Sequence, residues 1–376
     1  MASGMDLAAA FKTQARALRD SRVNASLLRG AASDIEAGGV AGDLLGEVVE
    51  RGVRNGRVLL PEELPARFAA AVHLLALRGG TALSEVYPST GGGGNLHEIW
   101  PVAREVIAEQ RPKIVQSMIR PSRRTDPSRA AMLLAALAFI GAQRPDPVRV
   151  FDVGAGAGLM LAAQQYKMDF FGETIGPPAS KVDLGHPWSV APGIEYADVP
   201  HIVELVGADI SPLDVRRRAD LDPMVAWTSP DVPAEAERLL AACDVVLGAG
   251  ITVEAMASSV WLPRGISWPR TDAHTVVWHS DVVLEMSVPE RTEFASEILG
   301  AAGRATEDAP LSVISFEPIG ADYLLYADPV GASLRRRQLR IEPHRFELRV
   351  NQWPSGDSWV LAVAEPTGQG AHWGTG

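Results

Sequence analysis

Cysteine is almost absent from this sequence: Cys243 is the single cysteine among 376 residues. One cysteine excludes an intramolecular disulfide and any metal site built from several thiolates. Cys243 lies within an apolar stretch, residues 239–247, so its side chain is expected to pack in a core. The eight histidines are dispersed and form no His-x-x-x-His pair, so no bound metal is expected.

Long apolar runs and a leader sequence are also missing. The longest apolar segment, residues 130–142, is shorter than the roughly 18 residues that a membrane-spanning helix needs. Residues Met1–Met5 show no basic segment followed by an apolar one, which predicts a cytoplasmic protein without a signal peptide or membrane contact. Acidic residues outnumber basic ones to a formal net charge of −11, so nucleic acid is not an expected partner.

Two common catalytic motifs are absent as well. The sequence contains neither Gly-x-Ser-x-Gly nor the phosphate-loop motif, which argues against a standard hydrolase or nucleoside triphosphatase. Apolar residues, by contrast, make up 47% of the chain and charged residues 22%, the proportions of a globular protein that buries a sizeable core. The length is sufficient for two domains.

The first 145 residues are predicted to form an all-helical domain that caps the substrate site. Apolar residues recur there at three- and four-residue spacing. The five expected helices are Asp6–Asp20, Asn24–Ala37, Pro61–Leu77, Leu96–Gln110 and Pro127–Gln143. Four successive glycines, Gly91–Gly94, are expected to form a mobile loop between helices. Tyr87 lies just before this loop and is a candidate for closing over a substrate.

From residue 146 to residue 376, short β-branched runs alternate with helical stretches, which indicates a parallel sheet covered by helices. The expected strands are Val148–Val153, Ile202–Ala208, Asp244–Gly248, Thr275–Trp278 and Leu311–Phe316. Phe346–Trp353 and Ser358–Ala364 flank a short turn and predict an antiparallel hairpin. The predicted fold class is therefore α/β: a Rossmann-like, mostly parallel sheet with a C-terminal antiparallel hairpin, preceded by the all-helical N-terminal domain.

The most informative segment is the glycine-rich turn after the first expected strand. Asp152 stands near the end of that strand, and Gly154, Gly156 and Gly158 follow at alternate positions. Glycines allow a tight turn and a close approach of the backbone to a ligand, beside the free N–H groups that begin a following helix. A dinucleotide-binding turn would carry a further glycine where this sequence has Leu159, so NAD is disfavoured.

The acidic-x-Gly-x-Gly-x-Gly form resembles motif I of S-adenosylmethionine-dependent methyltransferases, and the expected sheet is similar to that of their class I members. The resemblance implies that Asp152 and the three glycines bind S-adenosylmethionine. It also implies that Asp209, at the end of the second strand, accepts hydrogen bonds from the ribose hydroxyls. Asp209 lies 57 residues after Asp152, where a compact unit needs about 20, so residues 171–200 are expected to form an insertion over or beside the pocket.

Several segments together are similar to an actinobacterial family of unknown function with a methyltransferase-like domain behind a helical region. The similarity is carried by Tyr87-Pro88-Ser89, Val115-Gln116, the glycine turn, Gly207–Val215, Val276–Ser280 and Glu317. This chain departs from the family pattern at Ser117–Ile119, at Gly156 and at Gly248-Ala249. Because these departures fall where a ligand is expected, an activity shared by the family could be altered here.

A narrower similarity is to enzymes that close aziridine rings in azinomycin-type antibiotic pathways. It implies an intramolecular displacement of sulfate by an amine, together with a small partner subunit. Arg120 and Arg124 lie just before an expected helix and Arg129 lies in its first turn, where they could hold sulfate, phosphate or a carboxylate. A solvated basic loop is the alternative interpretation of this run.

His279 and Glu317 follow the fourth and fifth expected strands, at the edge where open parallel sheets bind their ligands. His279 could accept a proton from an amine or hydroxyl nucleophile near neutral pH. Glu317 could bind a substrate ammonium or act as a base. The alternatives are a histidine hydrogen-bonded to the backbone and a glutamate that caps a turn.

Together these features predict an enzyme with a methyltransferase-type fold that modifies a small molecule in bacterial specialised metabolism. S-Adenosylmethionine is the expected cofactor, and a small protein subunit or a second copy of the chain is the expected partner. Ring closure without methylation is one alternative. A non-catalytic subunit that retains the fold for partner contacts is another.

Overall fold

The structure is a computed structural model that describes residues 4–18, 20–54, 59–326 and 341–374. These residues form two compact units. The first unit comprises the residues up to 125 together with 216–239, and the second comprises 126–215 together with the residues from 240 onwards. The sequence predicts a boundary between two domains at residue 145, and that boundary stays a prediction. The two compact units are divided at different positions, after residues 125, 215 and 239.

The described residues form helices and strands that are numbered here in chain order. The helices are α1 (Gly4–Ala17), α2 (Arg22–Glu36), α3 (Val40–Arg54), α4 (Leu64–Arg78), α5 (Leu83–Val86), α6 (Leu96–Ile119), α7 (Arg129–Gln143), α8 (Arg218–Val225), α9 (Pro233–Gly248), α10 (Ser258–Ile266), α11 (Val288–Ala302) and α12 (Tyr323–Tyr326). The strands are β1 (Val148–Val153), β2 (Met168–Phe170), β3 (Glu173–Ile175), β4 (Trp188–Val190), β5 (Ile202–Asp209), β6 (Glu254–Ala255), β7 (His274–Ser280), β8 (Leu311–Ile319), β9 (Glu342–Trp353), β10 (Ser358–Ala364) and β11 (Ala371–Trp373).

The first unit is helical, and its core is built from the apolar faces of α1 to α6. The rings of Phe11 and Phe68 meet edge to face at 5.5 Å, and both side chains are fully buried. In α2 the buried positions follow the helical repeat, which is why that helix could be predicted from spacing. Helix α6 continues to Ile119, beyond its expected end at Gln110. Its backbone departs from helical geometry at Gln110, two residues before Pro112.

The second unit contains a nine-stranded sheet in the order β4-β11-β10-β9-β8-β7-β1-β5-β6. Strands β5, β6, β7 and β8 run parallel to β1. Strand β9 is antiparallel to β8, and β10 is antiparallel to β9. The predicted α/β fold, with its mostly parallel sheet, its C-terminal hairpin and its helical N-terminal region, is therefore confirmed. All six residues of β1 are buried, as expected for a strand covered on both faces.

One predicted strand was wrong. Residues Asp244–Gly248 are the last turns of α9, and the strand that pairs with β5 is the two-residue β6. A short apolar run does not by itself distinguish a strand from a buried helical turn. Gly248-Ala249 therefore does not end a strand, and β6 itself begins with an acid, Glu254. Cys243 lies on α9 and is buried, as the sequence predicted.

The expected insertion, residues 171–200, is partly strand. It contributes β3, which pairs with β2 in a separate two-stranded sheet. It also contributes β4, which pairs with β11 at the edge of the large sheet that is farther from β1. This segment therefore extends the sheet at its far edge rather than lying wholly over the glycine turn. Among the described residues, no helix combines the length and the apolarity that crossing a membrane requires.

Candidate functional site

The carboxyl ends of β1 and β7 mark the point where the strand order reverses. From β1 the chain proceeds to β5 and β6 on one side, and it then returns to place β7 and β8 on the other side. Open parallel sheets bind their ligands at such a reversal. Val153 of β1 stands beside His279 of β7 in the parallel register, so the segments that follow these strands emerge together.

The glycine turn after β1 is held by backbone hydrogen bonds, two of them to β5. Gly154, Gly156 and Gly158 have φ angles of 75°, 54° and 76°, in the left-handed region that favours glycine. The N–H groups of Gly154 and Ala155 both donate to the carbonyl of Ala208. The N–H of Gly158 donates to the carbonyl of Ala155. These three donors of the turn are therefore already used within the protein, whereas ligand binding by the N–H groups that begin the following helix stays a prediction.

Asp209 fastens this turn to the end of β5. Its Oδ2 accepts a hydrogen bond from the N–H of Gly156 at 3.1 Å, and its Oδ1 accepts one from the N–H of Ser211 at 2.7 Å. Each carboxylate oxygen has a second lone pair, so these bonds do not exhaust its accepting capacity. Asp209 thus has a clear structural contact in this structure, and its contact with a ribose stays a prediction.

The helix expected to follow the glycine turn is present as a short 3₁₀ helix rather than an α-helix. Residues Leu159–Gln165 form a 3₁₀ segment of seven residues, and the chain then enters β2 at Met168. The N–H of Lys167 then donates to the carbonyl of Val182. The hydroxyl of Tyr166 donates to the carbonyl of Leu159 at 2.7 Å and closes the segment.

Asp152 is the most perturbed carboxyl group beside the glycine turn. Its side chain is 3% exposed, and its Oδ2 has no hydrogen-bond partner among the described residues. The pKa of Asp152 is raised to about 8, chiefly by burial and also by the negative charge of Asp209, while the proximity of His279 opposes the change. A positive charge placed beside Asp152 would favour its ionised form and lower this pKa.

His279 and Glu317 form a buried pair at the ends of β7 and β8. The Nδ1 of His279 lies 2.9 Å from Oε1 of Glu317, and both side chains are almost fully buried. The N–H groups of Val282 and Val283 donate to Glu317 as well, at 3.0 and 3.4 Å. Glu317 thus accepts a backbone hydrogen bond on each of its oxygens, in addition to its contact with Nδ1 of His279. The Nε2 of His279 has no partner among the described residues.

The electrostatics of this pair are coupled. Burial alone would lower the pKa of His279, but the hydrogen bond and the charge of Glu317 outweigh it and raise that pKa. Burial raises the pKa of Glu317, and His279 opposes that change. The sequence analysis missed a further acid, Asp322, whose charge also raises the pKa of His279. Asp322 accepts a hydrogen bond from Ser315 at 2.6 Å, and nothing in its sequence context signalled this contact.

The three arginines proposed for anion binding are not gathered in one compact unit. Arg120 and Arg124 belong to the first unit, where the guanidinium of Arg124 lies 5.8 Å from the ring centroid of Trp227. Arg129 belongs to the second unit and is 4% exposed. Their shared role in anion binding stays a prediction.

Every guanidinium nitrogen of Arg129 has a partner. Its Nη2 forms an ion pair with Asp281 at 3.0 Å, its Nη1 donates to the hydroxyl of Ser280 at 3.0 Å, and its Nε donates to the carbonyl of Pro366 at 2.9 Å. These contacts tie the start of α7 to the end of β7. They favour a structural role for Arg129 over the binding of a free anion.

Tyr87 lies in the first unit, whereas Asp152, Asp209, His279 and Glu317 lie in the second. Its side chain is fully buried, and its hydroxyl has no hydrogen-bond partner among the described residues. Burial raises the pKa of Tyr87, and the negative charge of Asp231 raises it further. The proposed closure of Tyr87 over a substrate stays a prediction, and in this structure the ring packs inward.

A family model described as "Uncharacterized protein conserved in bacteria (DUF2332)" matches residues 8–373, which is almost the entire chain. The chain belongs to this family. No curated protein and no solved structure matches the chain. Within the described residues, no group of three or more histidine, cysteine, aspartate or glutamate side chains could hold a metal ion. The site of this DUF2332 protein is therefore interpreted from its own geometry.

Alanine substitutions are expected to separate the roles of two turn glycines. At Gly154 a Cβ would lie 2.3 Å from the Cγ1 of Val282, so Gly154→Ala adds a steric clash to the left-handed strain. At Gly156 the atom nearest to a Cβ would be 3.9 Å away, so backbone strain would be the only cost of Gly156→Ala. Gly154→Ala should lower the free energy of unfolding in urea by about 1–3 kcal/mol more than Gly156→Ala. Equal effects of the two substitutions would contradict this packing of the β1 and β7 segments.

Proposed function

We propose that this protein is an enzyme that binds S-adenosylmethionine at the glycine turn and transfers its methyl group to a small molecule. The observation that carries the proposal is Asp152, a buried acid with an unpartnered oxygen directly before the turn. A buried polar atom without a partner is costly, so a ligand that supplies a hydrogen-bond donor or a positive charge there gains affinity. A Cβ at Gly156 would clash with no neighbouring atom, since the nearest one would lie 3.9 Å away, and this is compatible with the approach of such a ligand.

Charge distinguishes S-adenosylmethionine from the dinucleotide alternative. S-Adenosylmethionine carries an ammonium and a sulfonium, whereas the pyrophosphate of NAD is negative. Asp152 and Asp209 are close enough for the charge of one to raise the pKa of the other. The negative charge of Asp209, beside a turn whose N–H groups are largely used, would repel a pyrophosphate and attract a cation, and a bound cation would favour the ionised form of Asp152.

Asp152, Asp209, His279 and Glu317 would have different roles in methyl transfer. Asp152 and the turn around Gly156 would hold the cofactor, and Asp209 would orient its ribose while keeping the turn closed. When bound, S-adenosylmethionine supplies a methyl group that a nucleophile can accept. The Nε2 of His279 would take the proton from that nucleophile, with Glu317 holding Nδ1 and so fixing which ring nitrogen is basic. Alignment of the nucleophile would supply most of the remaining rate enhancement.

Calorimetric titration with S-adenosylmethionine tests this proposal, with NAD as the comparison ligand. Binding of S-adenosylmethionine at micromolar concentration and no binding of NAD are the expected results. His279→Gln should retain binding but lower the transfer of radiolabelled methyl to small amines and alcohols by about 100-fold or more. Absence of binding at millimolar S-adenosylmethionine would eliminate the methyltransferase proposal and leave ring closure and the non-catalytic subunit as the alternatives.

A further inference from the structure

A second group of chemically competent side chains belongs to the first unit, whereas the glycine turn belongs to the second. Ser89 is exposed in the 3₁₀ segment Pro88–Thr90, and His73 is buried in α4. The Oγ of Ser89 lies 2.8 Å from the Nε2 of His73. An exposed serine whose hydroxyl contacts a buried imidazole is the arrangement that activates serine nucleophiles.

The second nitrogen of His73 decides the direction of this hydrogen bond. Its Nδ1 lies 3.2 Å from the carbonyl of Ala226, and a carbonyl can only accept, so Nδ1 carries a proton. Burial lowers the pKa of His73 to about 4, opposed by backbone contacts and by the negative charge of Asp231. The imidazole is therefore neutral near pH 7, and its Nε2 presents a lone pair to the hydroxyl of Ser89.

The local backbone holds both residues in place. Tyr87 stacks on the ring of His73 with centroids 5.6 Å apart, which limits the movement of the imidazole. The glycine run that was expected to be a mobile loop folds back instead, with the N–H of Gly92 donating to the carbonyl of Tyr87 at 2.9 Å. A Cβ at Gly92 would lie 2.6 Å from the carbonyl oxygen of Glu85, so this return requires glycine.

We propose that Ser89 is a nucleophile activated by His73 and that it accepts acyl groups from esters or thioesters. The Oγ of Ser89 forms a bond to the acyl carbon while its proton passes to Nε2 of His73. The bond from that carbon to the alcohol or thiol leaving group then breaks, and the leaving group takes the proton from His73. Water resolves the acyl-serine by the same path. The carbonyl of Ala226 takes the orienting role that a carboxylate has in the familiar triads.

A fluorophosphonate probe tests this assignment on the intact protein, because it forms a phosphorus–oxygen bond with an activated serine and releases fluoride. Mass spectrometry of the labelled peptides gives the rate at each serine. Ser84 is the matched control: it lies five residues away, and its hydroxyl donates to the carbonyl of Ala76 rather than to an imidazole. We expect Ser89 to be labelled about 100-fold faster than Ser84, the lower end of the range for general-base assistance.

Two variants sharpen the test. Ser89→Ala should abolish the fast labelling, and Ser84→Ala should leave it unchanged. His73→Gln should slow labelling of Ser89 about 100-fold in protein whose thermal unfolding shows that it is folded. If His73→Gln does not fold, the ratio of Ser89 to Ser84 labelling in the unmodified protein decides the question. Equal labelling of the two serines, or an unchanged rate in folded His73→Gln, would overturn the proposal. Neither result depends on S-adenosylmethionine binding.

Discussion

Asp152→Asn is expected to weaken S-adenosylmethionine binding about 100-fold or more while making the unliganded protein more stable at alkaline pH. Removing one member of a buried charged contact costs about 3–5 kcal/mol, which corresponds to at least a 100-fold rise in Kd. Calorimetry measures the first effect, and urea unfolding across a pH series measures the second. Binding becomes weaker because the carboxylate contacts the ligand. The unliganded protein becomes more stable because the buried carboxylate has no ligand beside it to offset its loss of hydration.

The pH dependence follows from the direction of the pKa shift. The pKa of Asp152 is raised from its usual value of 3.8 to about 8 in the folded protein, so the folded state binds the proton more tightly than the unfolded state. The contribution of Asp152 to stability is therefore fully present below its unfolded pKa. It is lost progressively as the pH rises towards the folded pKa. Asp152→Asn lacks this loss, so its advantage over the unmodified protein should grow to a few kcal/mol by about pH 9.

Asp146→Asn is the matched control for Asp152→Asn. Asp146 lies two residues before β1, at the amino end of the sheet, and it pairs with Arg144 on the surface. This variant should bind S-adenosylmethionine as the unmodified protein does, and its stability should keep the same pH dependence. If both variants lost binding equally, general loss of negative charge rather than Asp152 would be responsible.

Arg129→Ala is expected to destabilise the second unit by about 3–5 kcal/mol, because it removes the buried guanidinium that pairs with Asp281 at 3.0 Å. The substitution also leaves the carbonyl of Pro366 without its donor. Asp281 adopts a left-handed backbone conformation, with φ of 60°, and the ion pair helps to retain it there. Denaturant unfolding, followed by the fluorescence of the tryptophans, measures this loss.

Arg264→Ala is the control for that measurement. Arg264 also pairs with an acid, Glu254 at 3.1 Å, but its side chain is 60% exposed. An exposed pair contributes little, so Arg264→Ala should change the free energy of unfolding by less than about 1 kcal/mol. Similar small effects of both substitutions would contradict the structural role of Arg129. Stabilisation of the unmodified protein by sulfate that disappears in Arg129→Ala would favour the anion site instead.

The sheet could be predicted from the sequence where patterns were local. Val148–Val153 is a continuous buried strand followed by glycines at alternate positions, and both features were correctly recognised. The hairpin of β9 and β10 was predicted from two alternating runs on either side of a short turn. His279 and Glu317 were both selected because they follow parallel strands. Their direct contact is a consequence of the neighbouring positions of β7 and β8.

Other features depend on contacts between distant residues and could not be predicted. The run Asp244–Gly248 has the composition of a strand, but it continues a helix that begins at Pro233. The ion pair of Arg129 and Asp281 joins residues 152 positions apart. The contact of His73 with Ser89 joins residues only 16 positions apart, yet no sequence motif connects the two residues.

Helix α3 was also missed, although its buried residues recur at helical spacing.

The most direct test of the central claim is the number of protons released when S-adenosylmethionine binds. Near pH 7, about one unit below its raised pKa, Asp152 is mostly protonated, and a cationic ligand beside it would drive that proton off. Titrations in two buffers with different heats of ionisation give the number directly. Release of close to one proton, absent in Asp152→Asn and retained in Asp146→Asn, is the predicted result. Binding without proton release, or the same release from Asp152→Asn, would contradict the account.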